Sequence, residues 1–183
     1  LELFAQFGPT ISAAEFSAIK HDKFYSPATY YVTYLEKIKA QQFTQSLLQQ
    51  AQQVIAQWDL GTDVANTSAA LGTCVLLAAE RQEDRDTHDA EQVAELLGEC
   101  AETLLAAKGR LDPPWGEVNR HVRGKVNVPV GGGPNILRAI YGRGLKEEGF
   151  LTNVAGDGLY YLVAWDANGQ LSVEGVHQFG SAT

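Results

Sequence analysis

The distribution of glycine divides this chain of 183 residues into two parts that favour different secondary structure. Only four of its eighteen glycines lie before residue 109, and the other fourteen lie from there onward. Glycine weakens helix interiors and is common in the turns between strands. The sequence therefore predicts an α+β fold, with a helical segment over 1–108 and an antiparallel β-rich segment over 109–183, both parts of one larger domain.

Two helices are predicted near the N-terminus. Ser12 followed by Glu15 is a capping box, which predicts a short helix that turns Phe16 and Ile19 towards the core. Ser26-Pro27 predicts a second start, because serine is a good N-cap and proline suits the first helical position. This second helix is expected to run to about Ala40 and to present Tyr30, Tyr31, Tyr34, Leu35 and Ile38.

Three longer helices follow in the first part of the chain. Apolar residues recur with helical spacing over 47–58, which predicts an amphipathic helix. The apolar stretch over 68–79 predicts another. The third runs from about Asp89 to Ala107, and Gly109 is a suitable C-cap.

Strand periodicity begins after Pro113-Pro114. Three segments carry alternating or continuous apolar residues and predict strands: 117–123, 126–130 and 136–141. The segments 158–165 and 171–177 flank Asn168-Gly169, a dipeptide typical of tight hairpin turns. We expect these last two segments to form an antiparallel hairpin.

The net charge of −8 argues against nucleic acid or an anionic membrane as the main partner. Nearly all of the excess negative charge lies in 80–102, which contains nine acidic residues and two arginines and so has a local net charge of −7. This run is interpreted first as a solvated loop and helix face. The alternative is a docking surface on a non-catalytic α+β binding module, with these residues at its centre: Glu91, Glu95, Glu99 and Glu102.

The cysteines and histidines show no metal-ligand spacing, so neither a metal nor a cofactor is expected. Cys74 and Cys100 are interpreted first as buried small side chains, and a disulfide across two helices is the alternative. The histidines are scattered singly along the chain: His21, His88, His121 and His177.

The remaining motifs favour structural interpretations. Gly131-Gly132-Gly133-Pro134 lacks the lysine and hydroxyl residue of a phosphate loop, and it predicts a flexible turn. A basic cluster predicts strand-edge or ion-pair contacts, because it has too few aromatic residues for a base-stacking surface: Arg120, Arg123 and Lys125. A self-contained catalytic site is a further, weaker hypothesis, and would combine His121, Asp157 and Ser181.

The chain contains no methionine. It also lacks the basic and apolar segments of a signal peptide at its start. We therefore expect it to be a piece of a longer protein, not a complete primary translation product.

Ordered motifs in the second part resemble the C-terminal portion of the large chain of penicillin-amidase-type acylases, closest to the acyl-homoserine-lactone and aculeacin-type branch. The earlier half is similar to the helical insertion that precedes those strands, at 1–4, 12–22 and Trp58-Asp59. Two features depart from the family: Asp157-Gly158-Leu159 stands where Asp-Ser-Tyr is common, and 62–86 fits loosely. The motifs that carry the resemblance are 115–120, Arg123-Gly124, 132–139, 155–158, 163–166 and 177–183.

This resemblance implies a segment of an N-terminal-nucleophile hydrolase with an αββα core of two antiparallel sheets between helices. Such an enzyme processes itself to expose a serine whose α-amino group is the general base. The serine and the asparagine that stabilises the oxyanion would lie outside this chain, so no catalytic residue is expected within it. The family also continues beyond the position of Thr183.

The resemblance also implies partners and a compartment. The partners would be the small chain, the N-terminal part of the large chain, and a small-molecule acyl amide, in the periplasm or outside the cell. The segments 160–165 and 171–179 would supply strands of the catalytic core. His177 and Ser181 are the polar residues near the terminus that merit testing, with a structural role favoured for both.

Overall fold

A computed structural model describes residues 4–29 and 32–177 and shows a mixed α+β structure. Seven α-helices lie within the described residues. Short 3-10 turns lie at Phe4–Gln6 and Arg85–Thr87. The helices are α1 (Ala13–Lys20), α2 (Tyr34–Ala40), α3 (Ser46–Gln57), α4 (Ala69–Glu80), α5 (Ala90–Lys108), α6 (Trp115–Val118) and α7 (Leu145–Glu148).

Six strands form two sheets. The first has four strands in the order β2-β1-β4-β3, and the second is the two-stranded hairpin β5-β6. The strands are β1 (Asn119–Arg123), β2 (Val126–Pro129), β3 (Ile140–Arg143), β4 (Leu151–Gly156), β5 (Leu159–Trp165) and β6 (Leu171–His177).

The first helix begins as predicted, and the second does not. Ser12 and Glu15 form the expected capping box of α1. Ile19 is buried, but Phe16 is 42% exposed, so its predicted inward position is wrong. The predicted start at Ser26 is also wrong, because turns follow Ser26 and α2 begins only at Tyr34.

The reason for the late start of α2 is a tertiary contact just before Ser26. The backbone of Tyr25 donates to the Leu60 carbonyl, and that of Thr62 donates to the Lys23 carbonyl. This extended pairing holds the chain against the loop after α3. Tyr30 and Tyr31, which were predicted to belong to this helix, lie outside the described residues.

The three long helices confirm their predicted positions and build the core. The side chains of Leu48, Ile55 and Leu97 are buried where α3, α4 and α5 pack together. Asp89 caps α5 through a capping box, and Gly109 ends it in the left-handed region at φ 70°. The core also includes Trp115 and Val118 from the second part of the chain.

A disulfide joins α4 to α5 through Cys74 and Cys100, whose Cα atoms are 5.8 Å apart. The first interpretation of these residues, as unpaired buried side chains, is therefore wrong, and the alternative is confirmed. The two cysteines are 26 positions apart and meet because their helices pack side by side.

The four-stranded sheet is mixed. The predicted strands β1 and β2 pair antiparallel as expected, and β3 pairs antiparallel with β4. The expectation of antiparallel strands is wrong for β1 and β4, which run parallel with Asn119 opposite Leu151. The strand β4 and the helical turns α6 and α7 were not predicted from the sequence. The predicted strand 117–123 begins only at Asn119, and the predicted strand 136–141 begins only at Ile140.

The glycine-rich loop 131–134, predicted as a flexible turn, is packed into the protein. Gly132 and Gly133 are buried. The Trp115 indole and the Asn119 amide both donate to the Gly132 carbonyl, at 2.8 and 3.3 Å. Gly132 has φ 99°, and a Cβ there would lie 2.5 Å from the Arg138 carbonyl oxygen, so glycine is required.

Candidate functional site

The β5-β6 hairpin is confirmed, and many of its apolar side chains are exposed. Val163 pairs with Val173, and Trp165 pairs with Leu171, so their side chains share one face. Trp165 is 67% exposed and Tyr161 is 59% exposed. The other exposed apolar members of the hairpin are Leu159, Val163, Leu171, Val173 and Val176.

Both outer edges of this hairpin are unpaired within the described part of the chain. A two-stranded hairpin by itself is at best marginally stable in water, and contiguous exposed apolar residues mark interaction surfaces. Among the described residues, the hairpin therefore has the character of an interaction surface.

A small polar cluster attaches the hairpin to α1. Lys20 donates to an Asp157 carboxylate oxygen at 2.6 Å and to the Leu137 carbonyl at 2.9 Å. Arg138 lies 3.9 Å from the same carboxylate. The segments 12–22, 132–139 and 155–158 thus meet at one point.

His21 and Tyr160 extend this contact. The His21 ring lies edge-on to Tyr160, with 5.5 Å between the ring centroids. Its Nδ1 atom lies 2.8 Å from the Ser17 carbonyl, so it carries the proton, and Nε2 is left to accept from the Tyr160 hydroxyl at 3.4 Å. These contacts orient the hairpin relative to α1.

Two cavities are lined by described residues. The larger, of about 710 Å³, lies between the loop after α1 and the loop before β3, and its lining includes Asp22, Phe24 and Leu137. The smaller, of about 380 Å³, lies between α4 and the four-stranded sheet, and its lining is mostly apolar.

A buried series of hydrogen bonds links Tyr34, His88 and Asp84 in the helical part of the protein. The hydroxyl of Tyr34 is 2.7 Å from His88 Nδ1, and His88 Nε2 is 3.4 Å from Asp84. Burial, together with the negative charge of Asp84, raises the pKa of Tyr34 to about 12. This series of hydrogen bonds joins α2 to the segment between α4 and α5.

The residues of the self-contained catalytic hypothesis have separate structural settings. His121 lies in β1 opposite Val128 of β2. Asp157 is held by Lys20, as described above. Ser181 lies outside the described residues. His177 ends β6, opposite Leu159, and is exposed.

The acidic run forms an exposed helix face. Its four α5 glutamates are all exposed, and their carboxylates form no ion pair with any described residue: Glu91, Glu95, Glu99 and Glu102. Exposure of this kind is equally typical of a solvated helix face. The docking interpretation therefore stays a prediction.

The basic cluster makes hydrogen bonds along the edge of the sheet. The Arg120 guanidinium donates to the side chain and the carbonyl of Asn127 and to the Gly116 carbonyl, each at 2.8–2.9 Å. The strand-edge part of its interpretation is confirmed for Arg120. Among the described residues, no group of three or more acidic, histidine or cysteine side chains could hold a metal ion.

No family model matches this chain, and no curated protein matches it. None of the described helices has the length and apolar character needed to cross a membrane.

Proposed function

We propose that this chain is a segment of an N-terminal-nucleophile amide hydrolase of the penicillin-amidase type. It would become active when joined to the small chain and to the serine-bearing part of the large chain. The proposed reaction cleaves an acyl group from a small-molecule amide, such as an N-acyl homoserine lactone or a lipopeptide-like amide. The nucleophile and the oxyanion donors belong to the missing parts.

The uncovered hairpin is the observation that carries this proposal. Contiguous exposed apolar residues on one face are typical of an interaction surface, and Tyr161 and Trp165 are mostly exposed here. Strands from the remainder of the enzyme would pair with the open edges of β5 and β6 and cover this face. The αββα core is the arrangement we propose for the completed sheet.

The disulfide supports the proposed compartment. Disulfides persist in oxidising environments such as the periplasm and the cell exterior, and are rare in the cytosol. The pair Cys74–Cys100 joins two core helices far from the hairpin. A periplasmic or extracellular enzyme fits that bond.

The role of the described residues would be support and positioning. The Lys20–Asp157 contact fixes the start of β5 against α1, close to the larger cavity. Through it, the helical segment would set the angle at which the hairpin enters the catalytic sheet. The larger cavity would form part of the rim of the cleft.

The experiment combines mass spectrometry with reconstitution. The intact mass and N-terminus of every polypeptide in the natural protein should reveal a companion chain that begins with serine. Amide hydrolysis of a fluorogenic acyl amide should require that companion.

Trp165→Glu, which places a charge on the proposed interface, should prevent assembly and activity. Lys146→Glu is the matched control on an exposed helical turn and should preserve both. Full amidase activity from this chain alone, with no companion present, would contradict the proposal.

A further inference from the structure

The smaller cavity has the composition of a ligand site. It lies between one face of α4 and the sheet, and its apolar wall includes Leu77, Val118, Ile140 and Leu151. Its volume of about 380 Å³ is within the range of small-molecule sites, which are mostly apolar with a few polar groups. The proposed amide hydrolysis does not involve this cavity.

Most polar groups of the wall already have partners. The Trp115 indole donates to the Gly132 carbonyl. The Asn119 amide donates to the Val130 carbonyl. The Tyr141 hydroxyl donates to the side chain of Asn135 at 2.9 Å. These groups shape the wall and are not available to a ligand.

Arg81 differs from them. It lines the cavity at the C-terminal end of α4, is exposed, and forms no ion pair or hydrogen bond through its side chain with any described residue. The neighbouring Glu80 carboxylate accepts from Asn135 at 2.7 Å. A positive charge beside an apolar cavity is complementary to a molecule with one anionic end and an apolar body.

Thr73 adds a second polar group. It is 2% exposed, and its hydroxyl has no partner among the described residues, although a buried hydroxyl normally has one. Thr73 belongs to the cavity wall. A ligand oxygen within hydrogen-bond distance would supply the partner that this hydroxyl lacks.

We propose that this cavity binds a monocarboxylate with a compact apolar body. The apolar body lies against Leu77, Val118 and Ile140, and the carboxylate accepts hydrogen bonds from Arg81. Binding is non-covalent and needs no metal or cofactor.

Isothermal titration with cyclohexylacetate and the neutral 2-cyclohexylethanol tests this site. Arg81→Gln is expected to lower the affinity for the acid about fivefold, as for a partly exposed ion pair, and to leave the affinity for the alcohol unchanged. Arg143→Gln is the matched control, because Arg143 is an exposed cation of β3 that is not part of the cavity wall. It should change neither affinity.

Leu77→Trp should fill the cavity and abolish binding of both probes, with far-UV circular dichroism as the check on folding. If that variant misfolds, the comparison of Arg81→Gln with Arg143→Gln decides alone. Equal acid affinity in those two variants overturns the proposal. An absence of saturable binding also overturns the proposal, because it would mean that the cavity holds only water. NMR shift changes confined to β5 and β6 overturn it as well, because they would place the ligand on the hairpin.

Discussion

Removal of the Cys74–Cys100 disulfide is the perturbation whose effect the structure defines most directly. The bond closes a loop of 26 residues between α4 and α5. In the chain-entropy description, opening a loop of that length increases the entropy of the unfolded chain by about 12 cal/mol/K, or about 3.5 kcal/mol at room temperature. Cys74→Ala/Cys100→Ala should lower the free energy of unfolding by about that amount.

Small additional losses are expected at the site itself. Cys100 is 3% exposed, so removing its sulfur leaves a small void in the core. The void adds less than about 1 kcal/mol, because one atom is lost and neighbouring side chains relax. The loop term should therefore dominate.

Urea denaturation followed by far-UV circular dichroism measures the effect. With a slope of about 2 kcal/mol/M, the midpoint of the double variant should fall by about 1.8 M. Wild-type protein unfolded in a reducing agent is the matched control, and should lose the loop term without the void.

Two results would refute this reasoning. One is a change in unfolding free energy below about 1 kcal/mol, since loop closure alone predicts more. The other is the detection of two reactive thiols in the folded, unreduced protein, because the disulfide leaves none in this sequence of two cysteines.

Three further predictions concern single side chains. Because the folded pKa of Tyr34 is raised from 10.0 to about 12, the unfolded chain loses this proton first, so stability should fall by up to about 2–3 kcal/mol as pH rises from 10 to 12. Tyr34→Phe should flatten that part of a plot of Tm against pH, and an unchanged slope would contradict the assignment. Gly132→Ala should lower the free energy of unfolding in urea by more than about 2 kcal/mol. Gly169→Ala is the control, because Gly169 also has positive φ but has open space around its Cβ, and it should lower that free energy by about 1 kcal/mol. Equal losses would show that the close contact at Gly132 is unimportant. Asp157→Asn should lower the free energy of unfolding by less than about 1 kcal/mol, because the two side chains of its ion pair with Lys20 are about a quarter exposed. This loss should shrink in high salt, and a loss that does not depend on salt would argue against an ionic contact.

Elements with local signals could be predicted from the sequence. The capping box of α5 joins Asp89 to Gln92, and Gly109 supplies the left-handed end. In the hairpin turn, an Asp166 carboxylate oxygen accepts from the backbone of Asn168 at 2.8 Å. Each of these interactions spans a few residues, so neighbouring sequence is sufficient to predict it.

Elements that depend on distant partners could not be predicted in the same way. Ser26 does accept a hydrogen bond from the Ala28 backbone, as a cap would. The preceding residues nevertheless pair with 60–62, and α2 starts late. The strand β4 has a weak pattern of its own and is defined by β1 and β3 on either side.

The candidate site shows the same division. Its hairpin was predicted from the sequence. The exposure of Trp165 was not, because it depends on whether another element packs against the hairpin, and no described element does. The cavity wall was missed, because Thr73 and Arg81 of the α4 segment meet Tyr141 of β3, and no spacing pattern relates those two parts of the chain. Nor does a spacing of 26 positions say that two cysteines will meet.

The α+β class, the helical first part, the N-terminal caps of α1 and α5, and the hairpin could all be predicted from the sequence. These features follow from backbone preferences, capping and periodicity, which act over a few residues. The disulfide, the parallel pairing of β1 with β4, the buried glycine loop and the cavity beside α4 became evident in the three-dimensional structure. Those features depend on which surfaces pack together, and packing joins residues whose separation along the chain carries no signal of their contact.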